Sequence, residues 1–162
     1  MTETSNLGIE WPKNANEVPK EVFVRDELFA VEQERIFRGP EWHPVAHTGE
    51  LPHPGGFKTF SVGSVPLLVT HGKDGQHRVF YNSCSHRATQ LETASFGNKT
   101  EFECPYHRWL FNPEGELVGC PNSKEFSPGF KRENYPLAQP RVAFFYGMIF
   151  ITMHPETPPL DD

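Results

Sequence analysis

Cysteine is scarce in this chain. Only Cys84, Cys104 and Cys120 occur among 162 residues. A small secreted domain stapled by bridges carries an even, dense set of cysteines. No disulfide framework is therefore expected, and the count suits a reducing cytosol. Long apolar runs are also missing. No stretch approaches the roughly 18 apolar residues of a membrane helix, and hydrophobic residues make up 36% of the chain. Met1 to Pro12 shows no basic segment followed by an apolar one, so no secretory signal is expected there. Excess positive charge is absent too. Fifteen Lys and Arg stand against 21 Asp and Glu, a net charge of −6, which leaves no electrostatic footprint for nucleic acid. The expectation is a soluble, cytoplasmic chain with neither a nucleic-acid nor a membrane partner. At this length one domain with a real core is the default.

What the chain does have is concentrated between Cys84 and Leu117. Cys84-Ser85-His86-Arg87 is followed, after a loop, by Cys104-Pro105-Tyr106-His107-Arg108-Trp109. Each half places a histidine within three residues of a cysteine. Two thiolates and two imidazoles suit zinc, or a [2Fe–2S] cluster in which two histidines replace two cysteines on one iron. Common zinc modules group their ligands by kind, as in C-x2-4-C followed by H-x3-5-H. Here the kinds alternate. A two-iron cluster needs that alternation if each of two loops gives one ligand to each iron, with Cys84 and Cys104 on one and His86 and His107 on the other. Pro105 stiffens the second loop through its fixed φ. The order of the donors favours the cluster, and a zinc-stabilised binding module is the alternative.

Elsewhere the pattern is mostly β. Residues 1–19 are polar, with Pro12 and Pro19, and read as an extended or partly disordered arm. A helix is expected over 26–38, with Asp26 as N-cap. Leu28, Phe29, Val31, Ile36 and Phe37 form its core-facing stripe, and Arg38-Gly39-Pro40 stops it. From residue 43, short alternating or apolar runs follow at Val45–Thr48, Phe57–Val62, Val65–Thr70 and Val79–Tyr81. Gly72-Lys73-Asp74-Gly75 reads as a hairpin turn. Residues 91–100 read as polar connection and turn. Glu101–Glu103 and Trp109–Phe111 are strands, and Asn112-Pro113-Glu114-Gly115 fits a type I turn. Residues 119–140, with Pro121, Pro128, Pro136 and Pro140, read as a long irregular loop. Cys120 is expected there as a half-buried structural thiol. Arg141–Met153 is strongly β, with Gly147 marking a bend or bulge between two short strands. His43, His47, His53, His71, His77 and His154 have no ligand-like spacing and read as surface or structural histidines.

C-x-H-R, then C-P-Y-H-x-W-x-F and a turn ending in Gly, resembles the Rieske domain of ring-hydroxylating oxygenase large (alpha) subunits. The residues are Cys84, His86, Arg87, Cys104, Pro105, Tyr106, His107, Trp109, Phe111 and Gly115. Ala88 and Arg108 depart from the family, which often has glycine at both places. Glu34-Arg35-Ile36-Phe37 and Trp42 resemble the segment that precedes the domain in those subunits and that small Rieske ferredoxins lack. The resemblance implies a mainly β fold of Rieske-type antiparallel sheets with two cluster-binding loops, plus one N-terminal helix. It implies a polar arm over 1–19, a helical lead-in over 20–42, the Rieske domain over 43–154 and a linker-like tail over 155–162. It implies a [2Fe–2S] cluster on Cys84, His86, Cys104 and His107. The cluster would pass electrons from a ferredoxin or flavin reductase to a mononuclear non-haem Fe(II). That acceptor would sit in an oxygenase catalytic domain or a neighbouring subunit, within aromatic-ring dioxygenation. After His107 the only histidine is His154, so residues 108–162 cannot supply a two-histidine, one-carboxylate iron site. Oxygenation by this chain alone is not expected. A stand-alone Rieske ferredoxin-like carrier is the second reading.

The respiratory type of Rieske protein carries two further cysteines that bridge its loops, and a serine that donates to a cluster sulfur. Thr89, Tyr106 and Trp109 stand at the corresponding places here. Fewer donors leave the reduced, more negative cluster less stabilised. A redox titration should therefore find a midpoint near the lower end of the Rieske range, about −150 mV. A value well above zero contradicts the argument.

Overall fold

The structure, a computed structural model, describes residues 8–14, 16–121 and 128–160. Ten short strands dominate it: β1 (His43–His47), β2 (Gly56–Val62), β3 (Val65–His71), β4 (His77–Tyr81), β5 (Phe96–Asn98), β6 (Phe102–Glu103), β7 (Leu110–Phe111), β8 (Leu117–Gly119), β9 (Arg141–Phe145) and β10 (Met148–Thr152). They form three antiparallel sheets in the orders β1-β10-β9, β4-β3-β2-β5 and β6-β7-β8. The mainly β class expected from the sequence holds.

The four-stranded sheet is the middle layer. Successive side chains of a strand point to opposite faces, and in β3 and β4 both faces are buried. Leu67, Val69 and Val79 pack with Val45, Ala46, Ile149 and Ile151 of the β1-β10-β9 sheet. Their neighbours point the other way. Leu68 meets Phe57 and Phe102, and Phe80 joins Cys84, Cys104, Trp109, Phe111, Leu117 and Leu137. One sheet thus supports a conventional core on one side and the two cysteine loops on the other.

The tight turns are set by local chemistry. Gly75, at φ 80°, closes the β3–β4 turn by donating to the Gly72 carbonyl at 3.1 Å. Asn112–Gly115 closes likewise at 2.9 Å, and Gly115 lies at φ 84° directly against the Phe80 ring. Tyr146 and Gly147, at φ 47° and 81°, make a two-residue hairpin loop between β9 and β10. That is tighter than the bend or bulge expected at Gly147, because positive φ at both central residues matches the twist of the flanking strands.

The N-terminal helix differs from expectation. Instead of one helix over 26–38 there are α1 (Glu21–Val24), α2 (Asp26–Glu32) and a wider π turn over Gln33–Phe37. Asp26 is not the N-cap. Arg25 is extended at ψ 120° and takes that place, because its N–H already closes α1 on the Glu21 carbonyl. The apolar stripe is not a core face either: Phe29 and Ile36 are about half exposed. What reaches inward is Gln33, whose Oε1 accepts the Ser64 N–H at 2.8 Å, and Phe37, which packs on the larger core. β5 falls where a connection was expected, and β8 takes in Gly119, the first residue of the expected 119–140 loop. The described part of the tail is fastened: Trp42 Nε1 donates to the Pro158 carbonyl at 2.8 Å, and Arg141 donates to the Pro155 and Thr157 carbonyls.

Asn82, just past β4, is 1% exposed and ties the first cysteine loop to its return. Its amide donates to the Glu92 carbonyl at 2.7 Å and accepts from the Leu91 and Glu92 N–H groups. Removing it strands buried backbone groups, each costing about 1–3 kcal/mol. Asn82→Ala should lose about 3 kcal/mol in denaturant unfolding; a loss below about 1 kcal/mol would contradict this role.

Candidate metal centre

Two loops of the same backbone design carry the donors. In the first, the Ala88 N–H closes on the Cys84 carbonyl at 2.9 Å, and the Cys84 N–H donates to Thr89 at 2.8 Å. In the second, Arg108 closes on Cys104 at 2.9 Å, and Cys104 donates to Trp109 at 2.7 Å. Each turn ends on a left-handed residue, Ala88 at φ 56° and Arg108 at φ 57°. The histidines nevertheless leave these matched loops at different steps, two residues after Cys84 and three after Cys104. The second loop is the tip of the β6–β7 hairpin.

The four residues singled out from the sequence come together. Cys84 and Cys104 are 3% and 1% exposed, and their thiols lie within hydrogen-bond reach of one another. His86 and His107 face each other with ring centroids 4.7 Å apart at 68°. Nδ1 of each ring is buried and has no hydrogen-bond partner. Burial pushes the Cys84 thiol up to about 11, the His86 N–H pulls it back, and Cys104 adds to the rise. Burial also lowers the His86 pKa, helped by repulsion from His107 and Arg87. Imidazoles with bare inward nitrogens beside a buried thiol pair suit a cationic group that takes thiolates and imidazoles together; loading such a site releases protons.

The arrangement bears on which group. A structural zinc site gathers four donors tetrahedrally around one point. Among the described residues no three His, Cys, Asp or Glu side chains converge in that way. The two thiols form one pair and the two imidazoles another, a division that would suit two irons.

Four of the remaining histidines are engaged elsewhere, and a fifth, His43, also has a buried Nε2 without a partner but lies at the start of β1 against Phe37. His71 and His77 stack at 4.2 Å and both meet the Leu51 carbonyl. His47 Nδ1 accepts from Gly49, and His154 Nδ1 accepts from Glu156. Cys120 is half buried and packs against the outside of the apolar cluster around the thiols, as expected. Arg87 is exposed. Sequence reasoning missed a third loop that covers the site. Phe130 and Tyr135 pack on Trp109, and Leu137 is buried among the same residues. This loop is pinned by Leu137 N–H to the Gly115 carbonyl and Tyr81 N–H to the Ala138 carbonyl. The only signal was three aromatics, Phe126, Phe130 and Tyr135, inside a proline-rich stretch without periodicity.

Residues 41–140 match the model of the Rieske [2Fe–2S] domain. The chain belongs to that family. Its cofactor is a Rieske-type [2Fe–2S] cluster. Over 155 residues the Rieske chain is 36% identical to the anthranilate 1,2-dioxygenase large subunit of Burkholderia cepacia, covering 92% of this chain and 37% of that protein. It is 35% identical to the biphenyl 2,3-dioxygenase subunit alpha of Rhodococcus jostii (strain RHA1), covering 86% and 30%. Among solved structures it is similar to naphthalene 1,2-dioxygenase from Rhodococcus sp., with TM-score 0.81 and 33% identity over 90% of this chain and 33% of that one. The Rieske chain thus spans about a third of the length of these relatives. No helix among the described residues is long and apolar enough to cross a membrane.

The two departures from the family pattern now have a physical reading. Ala88 and Arg108 occupy the left-handed turn ends of the Rieske loops, where glycine pays no steric penalty and other residues lose roughly 1–2 kcal/mol. Part of that is regained because glycine loosens the unfolded chain. Ala88→Gly should stabilise the cluster-loaded protein by about 0.5–1 kcal/mol in thermal unfolding. Ala88→Val, β-branched at positive φ, should destabilise it by more than about 1 kcal/mol. The reverse order would show that the turn end is not strained.

Proposed function

We propose that Cys84, His86, Cys104 and His107 ligate the cluster, and that the domain relays single electrons within an aromatic-ring-hydroxylating oxygenase. The observation that carries the ligand set is the pair of buried, unpartnered Nδ1 atoms of His86 and His107 set beside the buried thiols. Bound there, the [2Fe–2S] group supplies one-electron redox chemistry. The chain's own residues set the conditions for it. Cys84 and Cys104, packed among Phe80, Trp109, Phe111 and Leu117, keep water from the sulfur side. His86 and His107 are half exposed and present imidazole edges where a partner can approach. The donor would be a ferredoxin or flavin reductase. The acceptor would be a mononuclear iron in an oxygenase catalytic domain or neighbouring subunit. The ring-dioxygenase names of the similar proteins support this.

The second reading, an independent ferredoxin-like carrier, shares the same site. The similarity to the anthranilate enzyme's large subunit covers 92% of the chain. It therefore reaches well outside residues 41–140, which favours the oxygenase reading. Cytoplasmic localisation goes with either role.

Cys84→Ser and Cys104→Ser should each abolish the visible absorption of the loaded protein, and Cys120→Ser should leave it intact. The loaded wild type should take up one electron per chain reversibly from a reduced ferredoxin. An intact spectrum in either of the first two variants would overturn the ligand set. Failure of the wild type to accept an electron would overturn the relay.

A further inference from the structure

The two imidazoles of the site are held differently. His86 lies flat on Trp109, with centroids 4.7 Å apart and planes 9° apart. His107 lies tilted against Tyr106, its neighbour in sequence, at 3.8 Å and 36°. Trp109 is 3% exposed, whereas Tyr106 is 59% exposed. Trp109 is itself braced. Tyr135 meets it edge-on at 5.5 Å and 89°, and Phe130 at 6.0 Å and 65°. Those two rings stack on each other at 4.9 Å and 30°. Ser85, next to His86, donates its hydroxyl to the Tyr135 carbonyl at 2.8 Å. The third loop is therefore joined to His86 twice, through the Ser85 hydroxyl beside it and through the indole beneath it.

We propose that Trp109 is a positioning residue for His86, and that the third loop sets the orientation of this ring through Tyr135 and Phe130. The inference rests on His86 being a cluster ligand, as proposed above. An imidazole tethered through one nitrogen keeps a rotation that tips its plane. A flat partner resists that tipping, and a partner packed on its other sides cannot withdraw. Groups that orient a ligand from outside tune the site nearly as strongly as the ligand itself. Among the described residues His107 has no such buried support, because Tyr106, the ring against it, is mostly in solvent. A partner arriving at the exposed side can rearrange the surroundings of His107 while His86 stays fixed.

The test uses the full chain, loaded with cluster, as wild type, Trp109→Phe, Trp109→Leu and Tyr135→Leu. Pulsed electron paramagnetic resonance reads the two histidine nitrogen couplings of the reduced protein, and a chelator assay reads iron release. In Trp109→Leu one nitrogen coupling should shift and broaden while the other stays. Iron release should rise about 10–100-fold. Trp109→Phe keeps a flat ring and should restore both readouts most of the way. Tyr135→Leu should move the same nitrogen by a smaller amount. Wild-type couplings and release in Trp109→Leu would overturn the inference while leaving the ligand set standing. If Trp109→Leu fails to fold, Tyr135→Leu decides in the same way, since that ring is 37% exposed and its loss is tolerable to the core. A wild type without two histidine nitrogen couplings would overturn the ligand set, and the inference with it.

Discussion

Two buried thiols and two imidazoles with bare inward nitrogens are an expensive arrangement. An unsatisfied buried polar atom costs about 1–3 kcal/mol, and this site gathers Nδ1 of His86 and of His107 beside a thiol pair. The arrangement makes sense only if a cationic group completes it. Until then the fold must hold the donors in place by other means. The matched turns, the buried side of the middle sheet and the third loop all serve that requirement. Each loop is closed by its own backbone bonds, which place the cysteines.

The middle sheet explains how so small a domain manages both a core and a redox site. β3 and β4 are buried on both faces, so one set of alternate residues can stabilise the β1-β10-β9 layer while the other set floors the site. Phe80 illustrates this double use. It belongs to a hairpin registered by the Asp74-Gly75 turn, yet its ring fills the space against Gly115 and supports the apolar wall around the cysteines. Damage to the hairpin would reach the site through that ring.

Much of this was legible in the sequence. That Cys84, His86, Cys104 and His107 belong to one candidate site could be read because alternating Cys and His at short spacing is itself chemical information. The strands from β2 to β4 could be read because alternation and turn residues agree. Other features lay beyond sequence reasoning, for physical reasons. Nothing in the spacing says that Cys84-x-His86 and Cys104-x-x-His107 hang from the same backbone turn. β5 and β8 are three residues each and exist through pairing with β2 and β7 rather than through a pattern of their own. The stripe at Phe29 and Ile36 shows that a helix has an apolar face but not what covers it. Trp109 stands out in the motif, but its partners Phe130 and Tyr135 sit in a loop whose only regularity is proline.

The central claim is that two sulfurs and two imidazole nitrogens share two irons. Electron paramagnetic resonance of the dithionite-reduced protein, with iron and acid-labile sulfide counted on the same sample, tests it most directly. The account predicts two irons and two sulfides per chain, and a rhombic signal whose average g lies below that of an all-cysteine [2Fe–2S] centre. Zinc in place of iron, with no such signal even after reconstitution with iron and sulfide, would contradict it.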